Sequence, residues 1–178
     1  SPLLSERTGE ELAAPPTALH AKDSKAGYNV TTPQQAWVYW NTLQHQRTAG
    51  AVFEIAMEHA RRAVERAKAR TGQDIDVISF AELKSKQAYS LPKQDASLNF
   101  PEQSRLATRA LIESLGITRP TVVMGFGSIP YSAVSLRDES LRATISEAVQ
   151  PFGLGLVNYF AGISDMSFFG EASGDLAA

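Results

Sequence analysis

The chain has 178 residues, a net charge of −2, three histidines and no cysteine. With 43% hydrophobic and 20% charged residues, its composition is that of a globular protein with one domain or two small ones, and not of a disordered segment. The near-neutral charge argues against a general nucleic-acid footprint. The lack of thiols excludes disulfides and fits a cytoplasmic protein, and no apolar run approaches the ~20 residues of a membrane span.

Residues 1–35 carry Gly9, Pro15, Pro16, Gly27 and Pro33. These turn formers predict an irregular segment with a short strand around Tyr28-Asn29-Val30. Its first residues, Ser1-Pro2-Leu3-Leu4, show no basic stretch followed by an apolar one, so no signal peptide is expected. "AWVYWNTL", Ala36 to Leu43, is aromatic and β-branched enough for a strand. Ala36, Val38, Trp40 and Thr42 share one face, and Trp37, Tyr39, Asn41 and Leu43 the other. Apolar groups on both faces predict core on one side and a partner surface on the other. Thr48 caps a predicted helix over 51–70, whose stripe is Val52, Phe53, Ala56, Met57, Ala60, Ala63, Val64 and Ala67. Glu58 and Arg62 form a well-oriented i,i+4 pair on the solvated face, and Gly72 follows as a stop.

Ile75 to Phe80 predicts a further strand, and the polar stretch 84–99 with Pro92 a long connection between two structural units. Pro101 suits the first turn of a helix to Leu115, with Leu106, Ala110, Leu111 and Leu115 inward and Gly116 closing it. "PTVVMGF" has the continuous apolar character of a buried parallel strand. Ser135 is expected to cap a helix running to about Gln150, with Leu141, Ile145, Ala148 and Val149 inward, and "GLGLVNYF" to form the next strand. Strand, helix and strand then make a βαβ unit. The predicted fold class is α/β, with an α+β segment ahead of parallel βαβ strands.

Recognised chemical motifs are sparse. "GFGSIP" hints at a dinucleotide loop, but Pro130 replaces its third glycine and no helix opens at it, so a strand-end turn is the better assignment. His20, His45 and His59 lie in no metal-ligand motif, and a catalytic zinc takes about three protein ligands. No zinc is expected in this chain. Glu10 and Glu11 resemble a base-plus-ligand pair in type, but no strand precedes them and a solvated pair is the simpler assignment. "AGISDMSFFG" places Ser164 and Asp165 just after a strand-like run, where they either line a site or cap the turn 166–170.

The stretch "SERTGEELAAPPTALHAKDSKAGYNVTTPQQAWVYWNTL", followed by "GFGSIPYSAVSL" and "GISDMSF", resembles the arginine-degradation branch of the family-twenty zinc metallopeptidases. Residues 15–23, 28–43 and 162–168 carry the specific part of that likeness. The family is related to acetylornithine deacetylase and succinyl-diaminopimelate desuccinylase. The resemblance implies a zinc-binding α/β core interrupted by an α+β lid that often mediates homodimerisation. On it, residues 1–83 are lid-type, 84–100 a connection and 101–178 the C-terminal part of the core. It implies a zinc hydrolase that attacks an amide bond of an acylated amino acid, peptide or arginine-derived compound, with the zinc ligands and glutamate base outside this chain. Ser164 and Asp165 then become walls of the substrate pocket, and His45 and Arg47 further substrate contacts, Arg47 through its bidentate fork. No catalytic residue and no metal ligand falls within the chain on this likeness. The alternative is a lid or dimerisation module without chemistry of its own.

Overall fold

The computed structural model describes residues 7–8, 11–12, 15–28, 30–43, 47–86, 95–128, 133–135, 139–154, 159–160 and 171–173. The fold mixes helices with parallel and antiparallel strands. It divides into two units: Ala18–Asn41 with Phe53–Ile129, and Ser1–Thr17 with Thr42–Val52 and Pro130–Ala178.

The first of these units holds the parallel pair. Strands β3 (Thr17–Asp23) and β4 (Ala36–Asn41) form a two-stranded sheet. Its connecting loop is pinned by Ser24 N–H to Gln35 O (2.9 Å) and by the Asp23 carboxylate accepting the Lys25 N–H (3.0 Å). β3 was not expected in a segment read as irregular, whereas Tyr28 and Val30, expected as strand, lie outside any strand. β4 ends at Asn41, two residues short of the predicted end.

Helix α1 (Ala49–Thr71) follows. Thr48 Oγ1 accepts the Ala51 N–H at 3.1 Å, the capping role the sequence predicts. Met57 and Val64 of the predicted stripe are buried, and the Glu58–Arg62 pair closes at 2.8 Å. Gly72 ends the helix at φ +71°, a conformation that favours glycine.

Strand β5 (Asp76–Ser79) passes directly into α2 (Phe80–Ser85). The predicted strand loses Phe80 because Ser79 and Glu82 make a capping box. Ser79 Oγ accepts the Glu82 N–H (3.1 Å), and the Glu82 carboxylate accepts the Ser79 N–H (2.8 Å). Helix α3 (Phe100–Ser114) starts at Asn99, whose Oδ1 accepts the Glu102 N–H at 3.0 Å, with Pro101 in the first turn. Leu111 is fully buried as expected; Leu106, expected inward, is 37% exposed. Strand β6 (Thr121–Met124) pairs in parallel with β5 in the register Asp76↔Thr121 to Ser79↔Met124. β6 is half-buried, short of the full burial its apolar run predicts. The helices α2 and α3 thus form the crossover between two parallel strands, one on either side of the 84–100 stretch.

An ion-pair chain on the surface joins the end of α1 to the starts of β5 and β6. Lys68 Nζ lies 2.7 Å from Asp74, and Arg119 Nε 3.4 Å from Asp76. The lysine holds the Asp74 carboxyl below its ordinary value, by hydrogen bond first and charge second. All four side chains are more than half exposed, so the chain orients these ends and adds little stability.

In the other unit, β1 (Arg7–Thr8) pairs antiparallel with β2 (Glu11–Leu12). Strand β7 (Ala133–Ser135) lies between β8 (Tyr159–Phe160) and β9 (Glu171–Ser173), antiparallel to both. Two expectations are corrected here. Ser135 is a strand residue, not a helix cap, and α4 runs Glu139–Val149. The strand after α4 pairs with β7 rather than with β6, so the βαβ unit belongs to β5 and β6. Ile145 and Val149 of α4 are half-buried; Leu141 and Ala148, expected inward, are exposed. Among the described residues, no helix is long and apolar enough to cross a membrane.

The capping box yields a first prediction. Ser79 is 9% exposed and its hydroxyl serves two bonds, so Ser79→Ala is expected to cost about 1 kcal/mol in urea unfolding at neutral pH. A loss indistinguishable from zero rejects the cap as a stabilising feature. The bonds from Ser79, backbone first and hydroxyl second, lower the Glu82 carboxyl below its ordinary value. This stabilisation is complete above the ordinary glutamate range and is lost as pH falls through the lower value Glu82 has when folded. Glu82→Gln should flatten that part of the acid unfolding profile, and an unchanged slope would assign it to other carboxylates.

Candidate functional site

Alternation along β4 sends Trp37 and Tyr39 to one face of the sheet, where both are half-buried. His20 of β3 joins them, and the three rings lie nearly parallel. The centroid of His20 is 4.7 Å from that of Trp37 and 5.8 Å from that of Tyr39, with Trp37 and Tyr39 5.4 Å apart. Interplanar angles of 7° to 15° make this an offset-stacked group, a favoured arrangement of ring quadrupoles.

The first turns of α3 contribute a charge. The Arg105 guanidinium lies over Trp37, 5.5 Å from its centroid. Its Nε donates to Glu102 Oε2 at 2.8 Å, an i,i+3 pair set by the helical repeat. Both side chains are about 30% exposed, so the pair is partly withdrawn from water. Ser104 Oγ donates to Gly127 O at 3.4 Å. A Cβ on Gly127 would sit 3.9 Å from the Cβ of Tyr39 and 4.0 Å from that of Pro101. Strand β4, the start of α3 and the segment after β6 therefore converge at Gly127.

That segment, 125–128, leaves the carboxyl end of β6, the side on which ligands of open α/β sheets gather. Phe126 is held against Phe53 of α1 at 5.2 Å. No described helix opens at the segment, in keeping with the strand-end turn expected for "GFGS".

Of the site residues expected from sequence, Ser164, Asp165 and His45 lie outside the described residues. Arg47 is half-buried just ahead of the Thr48 cap. Arg47 is thus the one of the four that the described residues include. Arg105 was missed because a helical arginine three residues after a glutamate has the pattern of a solvated pair. His20 was missed with its strand. The usable signal was Trp37 and Tyr39 at alternate positions, which mark one aromatic face.

Zinc donors do not assemble in this part of the molecule. Among the described residues no three His, Asp or Glu side chains converge. His20 belongs to the ring stack and His59 to the middle of α1. These side chains do not fit a zinc site.

No family model and no solved structure matches the chain. Over 92% of its length it is 27% identical to the uncharacterized protein YqjN of Bacillus subtilis (strain 168). The match takes in 36% of YqjN, so the chain spans about a third of that relative. A shorter stretch, 31% of the chain and 10% of the relative, is 34% identical to Protein RocB of the same organism.

Proposed function

We propose that this chain is part of a zinc-dependent amidohydrolase or peptidase of the family-twenty type. Its substrate is an acylated amino acid, a peptide or an arginine-derived compound, and its metal ligands come from outside the chain. The observation that carries this is the ordered series of landmarks at residues 15–23, 28–43 and 162–168, which together resemble the arginine-degradation branch. The mixed helix and strand content is compatible with this proposal. A cytoplasmic location, lid-type residues 1–83 and core-type residues 101–178 go with this proposal.

The test is metal analysis with an amidase screen on a full-length protein containing this chain, beside its Asp165→Asn variant. The expected result is bound zinc, amide hydrolysis, and lower turnover in the variant with unchanged thermal unfolding. A lower melting temperature with unchanged activity per folded molecule would make Asp165 a turn cap. Absence of both zinc and hydrolysis would reject the proposal.

A second function, a lid that dimerises with another copy of itself, is favoured by the outer face of β3–β4. Leu19, Val38 and Trp40 are 59%, 40% and 51% exposed there, an association hazard for an uncovered sheet face. Sedimentation should show a dimer that Trp40→Lys dissociates, and a monomer at high concentration would reject it.

A further inference from the structure

The described side chains contain one cation that is partly buried, fixed on one edge and unused on the other. Arg105 spends Nε on Glu102 and its face on Trp37. Among the described residues its two terminal nitrogens meet no acceptor. A guanidinium partly withdrawn from water with two parallel donors open matches the two oxygens of a carboxylate. Glu102 restrains the side chain through the third nitrogen, which lowers the entropy lost on binding. Its negative charge also offsets part of the attraction, so the arrangement suits a single carboxylate better than a multiply charged anion such as a phosphate.

The surroundings add a second preference. His20, Trp37 and Tyr39 form one set of nearly parallel rings beside this cation, and His20 is exposed. A ring group with an exposed member accepts another flat group by offset stacking on that ring's open face. The cluster also lies beside Gly127, at the carboxyl end of the parallel pair. We infer that Arg105, with the ring group His20, Trp37 and Tyr39, forms a binding site for a small planar organic carboxylate. This site is independent of the zinc-hydrolase proposal, because it needs neither a metal nor any residue outside the described ones.

Trp37 is its own reporter once the other tryptophan, Trp40, is replaced. The experiment uses the full 178-residue chain carrying Trp40→Phe and follows Trp37 fluorescence during titration with benzoate, benzamide and cyclohexanecarboxylate. Benzoate should give a saturable change, benzamide none, and cyclohexanecarboxylate a weaker one. Arg105→Gln should weaken benzoate binding roughly tenfold or more, the loss expected for a charge-assisted fork. Arg105→Lys, which keeps the charge and loses the fork, should fall between. Circular dichroism checks that each variant is folded, and where Arg105→Gln is not, the lysine variant decides. Equal binding of benzoate and benzamide, benzoate binding unaffected by either substitution, or no saturable response would overturn the site. Cyclohexanecarboxylate binding as well as benzoate would overturn the preference for planar ligands.

Discussion

Leu111→Ala is expected to destabilise the chain by about 2–5 kcal/mol, the range for emptying a filled leucine site. Leu111 of α3 and Leu83 of α2 have no exposed surface, and among the described residues they are the largest side chains of which this is true. A domain of ordinary stability has only about 5–15 kcal/mol in hand, so either truncation removes a large fraction of it. Leu83→Ala should act similarly. Because α2 and α3 pack on each other, the double variant is expected to deviate from the sum of the singles. Leu106→Ala is the control: it lies on the same helix, 37% exposed, and should change stability by no more than about 0.5 kcal/mol. Urea unfolding followed by circular dichroism measures all four. A loss at Leu111 as small as at Leu106 would show that α3 is not held through that side chain.

Gly125→Ala is expected to cost about 1–3 kcal/mol, the usual range for overpacking. A methyl group there would meet the Cβ of Phe80 at 3.1 Å. Phe80 opens α2 within the capping box, directly after its N-cap Ser79, so its Cβ is tied to a fixed backbone and cannot swing aside. The ring itself is farther away, with its Cγ at 3.9 Å. This predicts a specific pattern of rescue. Phe80→Ala keeps the offending carbon and should leave the penalty of Gly125→Ala in place, whereas Phe80→Gly removes the carbon and should relieve it. Rescue by alanine alone would mean that the ring, and not the backbone approach of α2 to the end of β6, sets the constraint.

How much could be read beforehand followed the physics of each element. Helix α1 was legible because one period persists across it, with a threonine in front and a glycine behind. Strands β5 and β6 were legible as short apolar runs, and their parallel pairing makes the fold class α/β. Strand β3 was not, because nearly all of its side chains are exposed and its order comes from pairing with β4. Helix α2 is too short for a period to show, although Ser79 and Glu82 spell its capping box. Ser135 has the chemistry of a cap but is drawn into β7 by strands that arrive much later in the sequence. The same holds for the ring and guanidinium cluster. Trp37 and Tyr39 announce a face, but only α3 folding over it supplies Arg105. Ser164, Asp165 and His45 lie outside the described residues.

The pairing of β5 with β6 also sets an order of events in time. Both strands are short, and everything between them, including α2 and α3, must be brought round before their first hydrogen bond can form. Helices that depend on neighbours in sequence form in microseconds or less, whereas contacts between distant strands wait on closure of the loop. The separation in sequence is itself a weak lever: each doubling of the chain length between two contacts adds only about 0.6 kcal/mol of closure entropy. Truncating Val77 or Val123 within the paired register acts differently, since it weakens the contact that rewards closure. The parallel pair is therefore expected to form after α2 and α3, in the order that loop closure imposes.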